Sequence, residues 1–291
     1  MEMKHNKLMV FMFAMLISAA ATYIIWDGIE SDKALADTRR IKDYEDSRID
    51  DTDYRLMDIE SEADAREVIT IYADKHNFDE DDYPDYMVER LTQNRELREF
   101  ILEYPAHMDE EENVRLSDIS IEDDLEKASG VPLFLQWDKR WGYRTYGSDL
   151  MGFTGCGPTC LSMVAVYLLD NDYMTPAYIA QFSMDNGFYD FENHSGTFWS
   201  LMYDGASMLG LCCEEVPGES WAVEDHLESG EPIIAIMGPG DFTSEGHFIV
   251  LTSYEDGYVT VNDPNSIERS NQEWELEEIM PQIQGMWAYS I

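Results

Sequence analysis

Basic residues are scarce: 19 Lys and Arg stand against 60 Asp and Glu in 291 residues, a formal net charge of −41. That balance argues against a nucleic-acid partner, because no basic stripe exists to displace counterions from a phosphate backbone. An acidic exterior also repels anionic headgroups, so any membrane attachment has to be hydrophobic. Cysteine is scarce as well, with four in the chain. Cys212 and Cys213 are adjacent and do not suit ordinary disulfide geometry with each other. Cys156 and Cys160 would bridge one helical turn at most, so a disulfide framework is not expected. The His and Cys spacings form no zinc pattern, and nothing calls for a cofactor.

What is present divides into four stretches. In residues 1–26, Lys4 and Lys7 precede an uncharged, mostly apolar run from Leu8 to Trp26, about the span that crosses a bilayer as a helix. Positive charge before it and acid after it predict an anchor with the bulk of the chain outside. A cleavable signal peptide ending near Ala19-Ala20-Ala21 is the rival reading, but the apolar residues continue past that point. Residues 27–60 form an acidic spacer containing "KDYEDSRIDDTDYR". Residues 61–129 read as an acidic helical region. Ala65, Val68, Ile69, Tyr72 and Ala73 recur at helical spacing behind a Ser61 or Asp64 cap. A second helix is expected from Asp82-Tyr83-Pro84, with Pro at its first position, and a third over 95–104, stopped by Pro105. The cluster Asp79 to Asp82 lacks the alternating ligands and central glycine of a calcium loop and reads as solvated.

From Gly130 the texture changes, and residues 130–291 are dense in turns, aromatics and short apolar runs. Helices are predicted over 156–169, 197–209 and 219–228, and strands over 232–237, 247–254 and 258–262. In "GCGPTCLSMV", Cys156 stands between Gly155 and Gly157 at a predicted helix start. The unpaired amides and positive dipole there stabilise a thiolate. Cys160, one turn on, shares a face with Met163 and Val164 and reads as packing. An isolated cysteine of this kind is more often buried filler than nucleophile, so the question turns on a base. His5 precedes the anchor, His76 and His107 lie in the helical region, and His226 is at a polar helix end. His194, in a loop, could line a cleft. His247 follows the glycine-bearing loop 238–246 and opens a strand.

The hairpin that follows carries a candidate carboxylate. If Tyr254 pairs with Tyr258 across a three-residue loop, Asp263 falls opposite Ile249, diagonal to His247 on the same face. A two-residue Asp256-Gly257 loop presents Asn262 there instead. Either side chain can orient an imidazole. Upstream, Gln136 follows the apolar run 131–135 and has an amide able to join the Cys156 N–H as an oxyanion donor.

Taken in order, "VPLFLQWDKRWG", "GCGPTCLSMV", "GHFIVL" and "VNDPNS" resemble the papain-fold cysteine peptidases related to the double-glycine leader peptidases of bacteriocin exporters, in their stand-alone bacterial form. The resemblance covers 131–291. It implies an α+β papain-like fold, with a nucleophile-bearing helix packed on an antiparallel sheet. It also implies Cys156 as nucleophile, His247 as base and acid, Asp263 as orienter and Gln136 in the oxyanion hole, acting on a peptide or protein without a cofactor or metal. No ATPase or multi-span transporter accompanies these blocks, so the exporters' substrate is not carried over. The expectation is an extracytoplasmic cysteine peptidase. Two alternatives stand beside it: a cell-wall peptide amidase or transpeptidase of the same fold, whose orienting residue is often histidine, and a non-catalytic surface binding module, which has no need of all four residues together.

Overall fold

The computed structural model describes residues 53–108, 115–192 and 196–291. The expected anchor 1–26, residues 27–52 of the spacer and His194 lie outside the described residues. Among the described residues, no helix is long and apolar enough to cross a membrane. The chain forms two compact units that divide between Pro84 and Asp85.

The first unit is built on helix Glu62–His76, where Ser61 Oγ accepts the Asp64 N–H as the cap and Asn77 ends the helix in the left-handed region at φ 58°. Its apolar stripe is buried, from Ala65 through Val68 and Ile69 to Tyr72. The acidic cluster makes a short 3-10 turn, Glu80–Asp82, capped by the Asp79 carboxylate.

The second unit opens with helix Asp85–Gln93, which Pro84 precedes rather than begins. The single helix expected over 95–104 is broken into a 3-10 turn Arg95–Leu97, helix Arg98–Leu102 and a further turn Tyr104–His107. Pro105 does not stop the chain: it occupies the first turn of that last piece, where a missing N–H costs nothing. Phe100 holds this segment in place. Its ring lies so close to Gly142 and Gly152 that a Cβ at either would come within 2.7 and 2.4 Å of it. It stacks on Tyr143 with centroids 4.4 Å apart, and the Tyr143 hydroxyl donates to the Phe100 carbonyl at 2.8 Å.

The architecture is mixed α and β, centred on a six-stranded antiparallel sheet. Its strands are β1 (Cys212–Glu215), β2 (Ile233–Met237), β3 (His247–Glu255), β4 (Tyr258–Asn262), β5 (Glu273–Glu275) and β6 (Ile283–Ser290), in the order β1-β6-β2-β3-β4-β5. Every residue of β2 is buried, the pattern of a strand covered on both faces. Ile234, Ile236, Phe248 and Val250 pack with the central helix Cys156–Leu169, of which Cys160, Leu161 and Val164 are fully buried. Ile233, Ala235, Ile249 and Leu251 pack on the other side with helix Ser220–Glu228 and the turn Leu276–Ile279.

Helix Pro176–Asp185 and strands β1, β5 and β6 are absent from the sequence reading. The helix expected from Thr197 begins later, because Thr197 is held in a bridge with Tyr189, and it runs as a π-turn Leu201–Gly205 into Ala206–Leu209. The Phe100 contacts lead to an expected outcome for Phe100→Ala. Loss of a fully buried aromatic should lower unfolding free energy by about 3–5 kcal/mol, in one transition by urea denaturation. A separate low-stability transition for 85–107 would show that this segment does not share the core.

Candidate active site

Cys156 is the first residue of the central helix, with Gly155 at its cap. At that position a backbone N–H has no acceptor within the helix. Gly157 is required by close packing, since a Cβ there would stand 2.7 Å from Thr197 Oγ1. The Cys156 thiol is half-buried, and the backbone N–H groups of Phe248 and Gly157 beside it favour its ionised form. The neighbouring His247 imidazole is the partner that most favours its ionised form.

His247 is the first residue of β3, and Asp263 follows the last residue of β4. The turn between these strands has two residues, with Glu255 facing Tyr258 and both Asp256 (φ 50°) and Gly257 (φ 92°) left-handed. Of the two loop lengths the sequence allowed, the two-residue one is present. On its own the shorter turn would have exchanged Asn262 for Asp263. A bulge restores the parity: Ser253 faces Thr260, but Leu251 faces Val261, leaving Thr252 unpaired. Val250 then faces Asn262, so Asp263 falls level with Ile249, two residues from His247. Thr252 Oγ1 bonds the Thr260 hydroxyl at 2.7 Å, which holds the bulge.

The structure thus brings Asp263, not Asn262, to the imidazole. His247 Nε2 lies 2.7 Å from Asp263 Oδ1, leaving Nδ1 for the thiol. The Asn262 amide instead donates to the carbonyls of Val131 and Pro132 at 3.0 and 3.1 Å, tying the run before Gln136 to the sheet. Asp263 has no exposed surface. Its Oδ1 also accepts the Asn265 N–H at 2.7 Å, and its Oδ2 accepts Arg269 Nε–H at 2.5 Å. Gln136 is 3 % exposed and lines the same cleft as Cys156. Its backbone N–H donates to Pro264 O at 2.7 Å, and its side-chain Nε2 gives one N–H to Gly152 O at 2.9 Å. That nitrogen carries a second N–H, and the buried Oε1 has no partner.

Burial opposes charge on all three members, and their partners reverse it. Burial pushes the Cys156 thiol up, but the hydrogen bond and charge of His247, with the two N–H groups, bring it below its ordinary value. Burial pulls the imidazole down, but the Asp263 charge and hydrogen bond, followed by Cys156, raise it to about 10. Burial likewise favours the neutral carboxyl, yet His247 and Arg269 hold Asp263 below the usual carboxylate range. The arrangement favours a thiolate–imidazolium pair at neutral pH. By contrast, burial drives the Cys160 thiol well up, as suits a core side chain.

Cys156 and Gln136 open on a cleft of about 840 Å³, walled by Trp199, the loop before His247 and helix Asp85–Gln93. His226 is elsewhere, bonded to Glu231 at 2.7 Å. Arg269 and the Phe248 N–H escaped the sequence reading. A backbone donor leaves no trace in sequence, and an arginine six residues past Asp263 is aimed only by the turn between them.

Residues 128–290 match the model of the Peptidase_C39 like family. Comparison with curated proteins finds no match. A solved structure described as a C39-like peptidase from Bacillus anthracis is 16% identical, covering 55% of this chain and 94% of its own, with a TM-score of 0.38. The peptidase domain of Streptococcus ComA, described as a bifunctional ABC transporter involved in quorum sensing, is 19% identical, covering 47% of this chain and 92% of its own, also at 0.38. Scores this low add nothing to the family match.

Because a lowered thiol pKa keeps the thiolate present at lower pH, iodoacetamide should label Cys156 rapidly well below pH 8 and leave Cys160 unlabelled in the folded protein. In His247→Ala only burial and the two N–H groups remain, so the labelling limb should move upward in pH. Peptide mass spectrometry reads both. Equal labelling of Cys156 and Cys160 would contradict the assignment.

Proposed function

Since the chain belongs to the Peptidase_C39 like family, we propose that it is a cysteine peptidase of papain-like architecture that uses Cys156, His247 and Asp263 as its triad. The observation that carries this reading is the imidazole held between the Cys156 thiol and a buried carboxylate 2.7 Å away. The thiolate attacks the scissile carbonyl, and the negative charge on its oxygen is met by the Cys156 N–H and the second N–H of Gln136. His247 then gives its Nδ1 proton to the departing amine, leaving the acyl group on sulfur as a thioester. Water, deprotonated by His247, attacks the thioester and releases the acid and the thiolate. Asp263 stays ionised throughout and holds the ring by its other nitrogen. The uncharged run from Leu8 to Trp26 supports an exported, membrane-anchored disposition for this chemistry.

Incubation with a mixed peptide library, read by mass spectrometry, should show cleavage by the wild type and none by Cys156→Ala. Gln136→Ala should lower kcat by about 10²-fold or more with little change in KM; an unchanged kcat would remove Gln136 from the oxyanion site. Full-length protein should sediment with membranes, and a form lacking 1–26 should not.

A further inference from the structure

Two residues outside the triad, Arg269 and Glu96, are joined to Asp263 by one chain of hydrogen bonds. The short helix Ile267–Ser270 begins just after Asp263, and its cap is Ser266, whose Oγ accepts the Arg269 N–H at 3.1 Å. Glu96 reaches this cap from a segment far away in sequence. Its carboxylate accepts the Ser266 hydroxyl and, at 2.7 Å, the Ile267 N–H. Asn94 beside it donates to Asn265 O at 2.8 Å. From the backbone fixed in this way, Arg269 turns its guanidinium back to Asp263 Oδ2 at 2.5 Å. Asn94 and Glu96 lie outside the residues matched by the family model, 128–290. They belong to the segment that also walls the cleft through Glu89, Arg90 and Gln93.

We infer that Arg269 and Glu96 are positioning residues for the Asp263 carboxylate, Glu96 acting through the cap that aims Arg269. The inference rests on the triad reading above. The imidazole and the Asn265 N–H both hold Oδ1, and the cation on Oδ2 is what fixes the second oxygen and with it the plane of the carboxylate. An arginine has several rotatable bonds, and holding it in one geometry is expensive unless its backbone is anchored; Glu96 provides that anchor. The segment 85–107 is then a working part of the site, neither a removable cover nor a spacer.

The pH limb of Cys156 alkylation tests this without needing a substrate. The titratable groups that act on the thiol are His247, Tyr146 and Cys160, with Asp263 behind the imidazole; burial keeps the Tyr146 hydroxyl and the Cys160 thiol neutral. Glu89, Arg90, Asp241 and Glu245 line the open cleft. Arg269→Gln should move the limb upward by about one pH unit, and Arg269→Lys, which keeps the charge, should restore most of the shift. Glu96→Gln is the decisive variant because the two effects differ in sign. Removing a distant negative charge would by itself favour the thiolate and move the limb down, whereas misplacing Arg269 moves it up. An upward shift in Glu96→Gln, with no further shift in the double variant with Arg269→Gln, is the result expected. An unmoved or lowered limb, or strictly additive shifts, would overturn the inference. If Arg269→Gln does not fold, as judged by thermal melting, the sign of the Glu96→Gln shift decides alone. An activated wild-type thiol with unmoved variants overturns only the positioning role, while a wild-type thiol of ordinary reactivity overturns the peptidase reading and this inference with it.

Discussion

The buried charge of Asp263 is the constraint that the rest of the site is arranged around. A carboxylate with no exposed surface has lost its hydration, and an unpaired charge in that position costs several kcal/mol. Both oxygens are accordingly matched, one by His247 and the Asn265 N–H and the other by Arg269. These partners lower the Asp263 pKa and raise that of His247, and the imidazole in turn lowers that of the half-buried Cys156 thiol. In the proposed chemistry, the reactivity of the cysteine therefore begins at a residue that the thiol does not touch.

Backbone geometry decides that Asp263 is the residue so placed. Side chains alternate along a strand, so one residue of slip would have put Asn262 beside the imidazole. The tight Asp256-Gly257 turn introduces that slip and the bulge at Thr252 removes it, so two departures from a plain hairpin cancel. Asn262, turned the other way, ties the run before Gln136 to the sheet, and the Pro264 carbonyl receives the Gln136 N–H. One turn of chain, 262–265, thereby sets both the orienting carboxylate and the oxyanion candidate.

Much of the site was legible because its signals are local. A cysteine between glycines at a helix start, a histidine opening an apolar strand and a hairpin returning an acid each announce themselves within ten residues or so. Loop length alone could not choose between Asp263 and Asn262, because nothing in "LTSYEDGYVT" marks Thr252 as the unpaired residue. Strand β6 was missed because Gly285 and Gln284 interrupt its apolar run, although it lies between β1 and β2 in the sheet. Helix Pro176–Asp185 had its signal in place, Thr175 as cap and Pro176 at the first position, and that signal was overlooked. Arg269 and Glu96 could not have been found, since their role exists only once segments about 170 residues apart are brought together.

The most direct test of this account is the protonation state of His247, followed by NMR of its ring carbons across pH in the wild type and in Cys156→Ala. The wild-type imidazole should stay charged through neutrality and titrate only in the alkaline range, toward about 10. Without the thiolate its midpoint should fall. A wild-type ring that is neutral at pH 7 and indifferent to loss of Cys156 would contradict the ion pair on which the proposed chemistry depends.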